Sequence, residues 1–341
     1  MKFTSDNTED YNQPFSLLEL KHALQKSNDS AVGPDDIHYK LLTNLPESSL
    51  TLLLTVFNSI WESGIFPPSW REATIVAIPK PGKDSPDPNN YRPIALTSCL
   101  CKTMERMVNN RLMWILESKG LLASEQCGFR KTVALQIIWF VLIVTFVMFL
   151  PRKEHILAIF FDLVKAYDTT WKHCILSDLY NLDFRGYLPT FIDGFLPHRL
   201  FQEMGVPHGT ILSPVPFSLK IDNIVSSVLK GSEASLFVND FALCIRAKSL
   251  LHAQRLMQPC VNSVQGCVSN NGFKFSTSNT VCMHFYNQRE HFAEPSILFD
   301  KNPINVVAEA KFLGIIFDRT LSYNSHVNYM KTNGLKALDI F

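Results

Sequence analysis

Two aspartates, Asp162 and Asp240, have positions that favour metal chemistry. Asp162 ends the apolar run HILAIFFD, and Asp240 lies at the tip of a predicted hairpin in SLFVNDFAL, beside the amide Asn239. If adjacent strand ends bring the two carboxylates together, they form a hard-oxygen site of the kind that Mg²⁺ binds along with substrate phosphates. Two metal ions bound by such ligands can stabilise the attacking and leaving oxygens of phosphoryl transfer. The pattern is therefore compatible with a metal-dependent phosphoryl-transfer centre.

A purely structural role for these residues stays open. Asp162 could cap a helix, and Asn239 with Asp240 could simply make a turn, because both residue types suit tight turns. Spacing alone favours this structural interpretation over catalysis.

The elements that would position the acids are predicted from periodicity and from turn residues. Ser16 and Glu19 form a capping-box pattern before a first helix. Further helices are predicted at 49–62, 100–117 and 249–270. Strands are predicted in ATIVAIP, YRPIAL, HILAIFF, FKFS, VCMHFY and KFLGIIFD. Because strands and helices are mixed without strict alternation, we expect an α+β fold whose sheet is covered by helices on one face.

Composition indicates an apolar globular protein. The 341 residues are 46% hydrophobic and 18% charged, which excludes a disordered chain and suggests two domains or one large domain with an appendage. The net charge of +1 gives no global argument for nucleic acid. Between 71 and 131, ten Lys and Arg stand against six Asp and Glu, which is compatible with phosphate contact but also ordinary for a solvated surface. Eight cysteines without zinc-site spacing, and a polar start, predict reduced thiols in an intracellular protein.

One segment, 132–150, is apolar enough to span a bilayer. It reads TVALQIIWFVLIVTFVMFL and is flanked by basic residues on both sides. A wholly buried helix and a stretch altered by mutation are the alternatives.

Eight stretches, in order, resemble the reverse transcriptases of non-LTR (LINE-type) retrotransposons of the jockey type. They cover about residues 31–323 and read SAVGPDDI, IPKPGKDSPDPNNYRPIALTS, SEQCGFRK, FFDLVKAYDTTW, GVPHGTILSP, FVNDFAL, GFKFSTSNTVCMHF and AKFLGIIFDRTLSY. Agreement over so complete a set favours a functional origin for the two acids.

The resemblance implies a right-handed polymerase with fingers and palm, an antiparallel palm sheet covered by helices, and a thumb that is largely missing. It implies a helical region at 1–64 before the fingers, the reverse transcriptase domain at 65–325, and a truncated start of a thumb or connection at 326–341. No upstream endonuclease domain is expected in this chain. A span at 132–150 would separate the fingers from the catalytic strand, which argues against a membrane partner. The expected location is intracellular, in cytoplasm and nucleus.

The resemblance also implies a role for each motif residue. Asp162 and Asp240 are expected to bind Mg²⁺ or Mn²⁺, and Asn239 occupies the third catalytic position of the family. The incoming nucleotide is expected to contact Lys80, Lys83, Arg92, Tyr167, His208 and Gly209. The primer and template are expected to contact Gly205, Pro207, Lys311, Phe312, Leu313 and Gly314. The implied partners are an RNA template, a DNA primer and dNTPs.

Several positions depart from the family pattern. Where the family has an aromatic residue, a small residue and two Asp, this chain reads FVND, so Asn239 replaces an acid that shares both metals. Asn279 replaces a lysine implied to act as general acid, and His208 replaces a glutamine. The region before Gly205 is shorter than usual, and 132–150 replaces an amphipathic helix. These departures predict a decayed copy in which the hairpin still folds but activity is impaired.

Three functions are therefore weighed. The first is an RNA-directed DNA polymerase that uses two-metal nucleotidyl transfer to a primer 3′ end. The second is a catalytically dead, nucleic-acid-binding remnant of a polymerase. The third is a membrane protein that descends from a polymerase. The first is favoured by ancestry, with its activity impaired at Asn239.

Overall fold

A computed structural model of the chain describes residues 2–27, 31–80, 86–128, 130, 154–164, 172–196, 210–286 and 293–338. The chain divides into two compact units, each described by itself. The first comprises Met1–Leu122 and Tyr167–Lys220, and the second comprises Ala123–Ala166 and Ile221–Phe341. Both candidate acids, Asp162 and Asp240, belong to the second unit.

The first unit is mainly helical. Its described helices are α1 (Leu17–Gln25), α2 (Tyr39–Thr43), α3 (Glu47–Ser63), α4 (Cys99–Ser118), α5 (Lys172–Asn181) and α6 (Tyr187–Phe195). Ser16 and Glu19 form the predicted capping box before α1. Gly64 ends α3 at φ +64°, a left-handed conformation that glycine adopts without strain.

Aromatic packing and one arginine hold these helices together. Trp61 is fully buried and packs against Phe15 and Phe191, with ring centroids 4.8 and 5.9 Å away. Arg111 on α4 forms a 2.7 Å ion pair with Glu19 on α1. Through Phe15 and Glu19, the N-terminal part of the chain is joined to α3 and α4, and Trp61 joins α3 to α6.

A two-stranded antiparallel hairpin extends from this unit, as the sequence predicts. It consists of β1 (Thr74–Pro79) and β2 (Tyr91–Leu96). Every residue of β1 is exposed, including Ile75 and Ile78. Exposed apolar side chains grouped in this way are typical of interaction surfaces.

The second unit is built on a five-stranded sheet in the order β4–β5–β3–β6–β9. These strands are β3 (His155–Asp162), β4 (Glu233–Phe237), β5 (Asp240–Ala247), β6 (Val281–Phe285) and β9 (Asn305–Val306). The central strand β3 is buried from His155 to Phe161, which explains its unbroken apolar sequence. The sheet is mixed and not wholly antiparallel as expected, because the chain after β6 crosses over and returns as β9 parallel to it.

Both faces of the sheet are covered. Helix α7 (Pro214–Ser226) precedes β4 in the chain. Helix α8 (Leu250–Asn270) packs on one face of the sheet and buries an apolar stripe that includes Met257 and Val261. The other face is covered by a hairpin of β10 (Glu309–Phe312) and β11 (Ile315–Asp318). Phe160 of β3 lies 4.9 Å from Phe312 across this second layer, measured between ring centroids. The small hairpin of β7 (Leu298–Phe299) and β8 (Asn302–Pro303) and the helix α9 (Asn324–Leu338) complete the described elements.

Two predicted strands differ from the structure. KFLGIIFD is the β10–β11 hairpin and not one strand, because Leu313 and Gly314 take φ of +49° and +87° and reverse the chain. FKFS makes only an isolated bridge between Phe275 and Leu163, because the residues that follow turn back onto the end of β3.

No helix among the described ranges is both long and apolar enough to cross a bilayer. The apolar segment 132–150 lies outside the described residues.

Candidate active site

Asp162 and Asp240 face each other across neighbouring strands. They are direct partners in the antiparallel register of β3 and β5, where Asp162 is the last residue of β3 and Asp240 the first of β5. Because side chains alternate along a strand, both acids lie on the face that carries Phe160 and Ala242. The expectation that adjacent strand ends bring the two acids together is confirmed.

The predicted hairpin forms around Asn239. Phe237 pairs with Asp240, which leaves Val238 and Asn239 as a two-residue loop between β4 and β5. Val238 takes φ +59°, a left-handed conformation that β-branched residues rarely adopt. Within the described part of the chain, the Asn239 side chain has no hydrogen-bond partner. The turn accommodates the amide, as predicted, but it is strained at Val238.

A second segment, residues 123–128, packs against β4 and against this turn. Leu236 exchanges backbone hydrogen bonds with it, accepting from Cys127 at 3.0 Å and donating to Glu125 at 3.1 Å. Gly128 then passes so close that an added Cβ would stand 2.6 Å from the Val238 nitrogen. Only glycine fits at this position without moving the loop that carries Asn239.

The paired acids repel each other. Burial and the neighbouring Asp162 carboxylate raise the pKa of Asp240 to about 6, above its ordinary value of 3.8. Burial penalises the charged form, and a like charge on the partner strand adds to the penalty. Neither carboxylate takes part in a salt bridge with another described residue. A divalent cation would relieve this repulsion, so the donor set fits one.

Asn279 is a third polar residue of the site. Its Nδ2 donates a 2.8 Å hydrogen bond to Oδ2 of Asp162. In the sequence, Asn279 is noticeable only because it replaces a lysine of the family pattern. Its contact with Asp162 has no sequence signal, because the two residues are far apart along the chain.

A cavity of about 380 Å³ lies beside the two acids. Its lining includes Asp162, Asp240, Asn279, Glu309, Lys311 and Phe312. The structure thus brings Lys311 and Phe312, two of the predicted primer-contacting residues, into one cavity with Asp162 and Asp240. Glu309 is a residue of the cavity that sequence reasoning missed, because nothing distinguishes it from an ordinary exposed glutamate.

Lys311 is held by α9. Its Nζ donates to the Tyr329 hydroxyl at 2.8 Å and lies 4.2 Å from the centroid of that ring. This hydrogen bond lowers the pKa of Tyr329. Leu313 and Gly314 form the turn that follows Lys311 and Phe312, so the predicted KFLG motif is the tip of the β10–β11 hairpin.

Lys80 and Arg92, predicted to contact the nucleotide, lie on the β1–β2 hairpin of the first unit. Arg92 is exposed and pairs in register with Ile78. The Lys80 N–H donates to the Asn90 carbonyl at 2.8 Å, just beyond the paired strands. Both basic residues therefore belong to one hairpin.

The remaining predicted site residues lie outside the described residues: Lys83, Tyr167, Gly205, Pro207, His208 and Gly209. Their roles stay predictions.

Paired carboxylates at the ends of central strands define a candidate metal-dependent phosphoryl-transfer site. Residues 78–317 match the family described as "Reverse transcriptase (RNA-dependent DNA polymerase)". This match covers more than half of the chain, which therefore belongs to the reverse transcriptase family. The resemblance seen in the motifs is confirmed.

The chain is similar to polymerases of Drosophila melanogaster mobile elements. The "Probable RNA-directed DNA polymerase from transposon X-element" is 26% identical over 94% of this chain and 37% of the relative. The "RNA-directed DNA polymerase from mobile element jockey" is 26% identical over 92% of this chain and 36% of the relative. The "Probable RNA-directed DNA polymerase from transposon BS" is 25% identical over 92% of this chain and 37% of the relative. The chain spans little more than a third of the length of these relatives.

Proposed function

We propose that this chain is the reverse transcriptase domain of a non-LTR retrotransposon, in which an RNA template directs the addition of dNTPs to a primer 3′ end. The observation that carries the proposal is the pairing of Asp162 with Asp240 in a chain of the reverse transcriptase family. The similar proteins named as polymerases of mobile elements support it.

Asp162 and Asp240 would bind the divalent metal that reverse transcriptases generally use. Two adjacent carboxylates, one with a raised pKa, are hard-oxygen ligands that gain from a cation. When bound, Mg²⁺ or Mn²⁺ would supply charge stabilisation in two-metal nucleotidyl transfer. The two carboxylates would fix the position of that charge beside the cavity that also contains Lys311.

Asn239 would limit the activity of this copy. A neutral amide oxygen cannot supply a carboxylate's charge to a divalent cation, and metal stabilisation of such transition states is worth several kcal/mol. Among the described residues, no group of three or more His, Cys, Asp or Glu could hold a metal. The copy is therefore proposed to be a folded but impaired polymerase.

The other predicted residues keep their proposed roles. The β1–β2 hairpin would bind the triphosphate through Lys80 and Arg92, and the β10–β11 hairpin would contact the primer. Residues 65–325 would form the fingers and palm of a right-handed polymerase, with 1–64 before them and the start of a thumb at 326–341.

Primer extension on a homopolymer RNA template tests this function. Incorporation by the chain is expected to be weak and to rise with metal concentration, or with Mn²⁺ in place of Mg²⁺, because two acids hold the cation weakly. Asp162→Asn is the matched control and should reduce incorporation to background. Incorporation that does not respond to the metal would exclude metal weakening as the defect.

A catalytically dead, nucleic-acid-binding remnant is the second candidate. It is favoured because no cluster of three or more His, Cys, Asp or Glu among the described residues could hold a metal. It would bind an RNA–DNA primer–template through its basic residues, and this affinity would fall steeply as salt rises. Salt-dependent binding without incorporation under any metal condition would support this candidate over the polymerase.

A further inference from the structure

Asp162 is attached twice to the turn formed by residues 276–279. The Ser276 N–H donates to the Asp162 carbonyl at 2.7 Å, and Asn279 Nδ2 donates to Asp162 Oδ2 at 2.8 Å. The turn is closed by a 3.1 Å hydrogen bond from the Asn279 N–H to Ser276 Oγ. The amide of Asn279 is therefore fixed relative to the backbone of the residue whose carboxylate it contacts.

We propose that Asn279 is a positioning residue for the cation site, fixing the Asp162 carboxylate so that its other oxygen, Oδ1, is directed to a cation shared with Asp240. The inference rests on the proposed function only in taking Asp162 and Asp240 as the cation ligands. Asn279 lines the same cavity as both acids. Within the described residues, Oδ1 of Asp162 has no hydrogen-bond partner.

The chemistry of a neutral amide suits this role. A carboxylate can turn about its Cβ–Cγ bond, and a donor held against one oxygen restricts that rotation. The amide donates without carrying a positive charge, so it does not repel a cation as an ammonium group would. Removing such a hydrogen-bond partner of a metal ligand typically weakens metal binding by about 10–100-fold.

The test is Mn²⁺ binding to the metal-free chain, measured by the electron paramagnetic resonance signal of free Mn²⁺. Binding that disappears in Asp240→Asn defines the cation site. Asn279→Ala is expected to weaken this site by about tenfold. Thr277→Ala is the matched control, because Thr277 is exposed in the same turn and makes no hydrogen bond to Asp162. It is expected to leave the affinity unchanged.

Competition with Mg²⁺ and Ca²⁺ separates positioning from a general structural role. Mg²⁺ demands near-ideal octahedral geometry, whereas Ca²⁺ accepts flexible coordination. Loss of the Asn279 hydrogen bond is therefore expected to weaken Mg²⁺ binding severalfold more than Ca²⁺ binding. Unchanged Mn²⁺ affinity, or equal weakening of Mg²⁺ and Ca²⁺, overturns the inference.

Folding is checked by thermal unfolding of each metal-free variant. Asn279 is exposed, so its truncation is expected to leave the melting temperature close to that of the parent. Asn279→Leu, which removes the donor but keeps the side-chain volume, is a second variant expected to behave like Asn279→Ala.

The outcome is independent of polymerase activity, because the titration contains no template, primer or dNTP. A tenfold loss of Mn²⁺ affinity in a chain that never extends a primer would support the positioning role and count against the proposed function. Primer extension by the chain, together with unchanged Mn²⁺ affinity in Asn279→Ala, would support the proposed function and overturn the positioning role.

Discussion

Gly128 lies directly behind Val238, at a distance that leaves no room for a side chain. An added Cβ would stand 2.6 Å from the Val238 nitrogen and 2.9 Å from its Cγ2. Val238 is itself strained at φ +59°, and the next two residues are Asn239 and Asp240. The conformation of the turn at Val238 and Asn239 therefore depends on a glycine more than a hundred positions earlier in the chain.

Gly128→Ala is expected to displace the turn. The variant should lose about 1–3 kcal/mol of unfolding free energy, the usual cost of overpacking. It should also bind Mn²⁺ more weakly, because Asp240 follows the displaced loop. Urea unfolding and Mn²⁺ titration measure the two effects.

Gly266→Ala is the matched control for this substitution. Gly266 lies within α8 and has open space around its Cβ position, so alanine there should stabilise the helix by about 0.5–1 kcal/mol. A Gly128→Ala variant as stable as the parent, with the same Mn²⁺ affinity, would show that the turn does not depend on Gly128.

Asp240→Asn is expected to stabilise the metal-free chain at pH 7.5. The pKa of Asp240, raised to about 6, means that its charged form is disfavoured in the folded state. Removing the charge should add about 1–2 kcal/mol to the unfolding free energy. The gain should shrink as pH falls from about 6 towards 3.8, because Asp240 of the parent becomes protonated.

Added Mn²⁺ should reverse the order of stability, since only the parent retains both ligands and gains from binding. Urea unfolding at pH 7.5 and pH 4, with and without Mn²⁺, measures this. A parent that is more stable than Asp240→Asn without metal would contradict the conclusion that burial and Asp162 disfavour the charged form of Asp240.

A buried histidine pair should make stability depend on pH. His155 Nδ1 and His284 Nε2 are 2.9 Å apart, so one neutral ring donates to the other. Burial, with His155 and Arg319 nearby, lowers the pKa of His284 to about 4, and burial lowers the pKa of His155. Both rings are thus neutral in the folded protein at pH 7.

The unfolded chain binds protons at these residues first, as pH falls through 6.5. The unfolding free energy should therefore be highest above pH 6.5 and should fall by a few kcal/mol as the pH is lowered towards 4. His284→Gln should flatten this dependence. An equal loss of stability in the parent and in His284→Gln between pH 7 and 5 would refute the role of the pair.

Lys311→Met tests the basic residue beside the acids. If Lys311 contacts a phosphate of the primer, the variant should bind primer–template more weakly, and the slope of log K against log salt should fall by about 1. Lys248→Met, at the opposite end of β5 from Asp240, is the control and should change neither quantity. Fluorescence anisotropy across a salt series measures both. Equal effects of the two substitutions would contradict a specific contact between Lys311 and a primer phosphate.

Much of the fold follows from local signals in the sequence. The capping box of Ser16 and Glu19, the terminal Gly64 of α3 and the apolar run at 155–162 each predict the element that the structure contains. The pairing of Asp162 with Asp240 also follows, because the sequence predicts each acid at the end of a strand. Each of these features follows from a local pattern, either a cap, a helix end or the end of a strand, which a sequence shows directly.

The remaining features depend on tertiary packing. Gly128 with Val238, and Asn279 with Asp162, are contacts between residues about 110 positions apart, and neither has a periodic signal. The turn at Leu313 has no sequence signal for a different reason. Leucine rarely adopts positive φ, so the apolar run predicts one strand.

Primer extension by the parent chain and by Asn239→Asp is the most direct measurement of the proposed function. Restoring the carboxylate should recover metal stabilisation of the transition state, which is worth several kcal/mol. We therefore expect dNTP incorporation to rise by at least about 100-fold in Mg²⁺, since each 1.4 kcal/mol is tenfold. Asp162→Asn in the Asn239→Asp background should abolish that gain. An Asn239→Asp variant that folds like the parent and incorporates no more dNTP would contradict the proposal that one lost carboxylate limits an intact polymerase site.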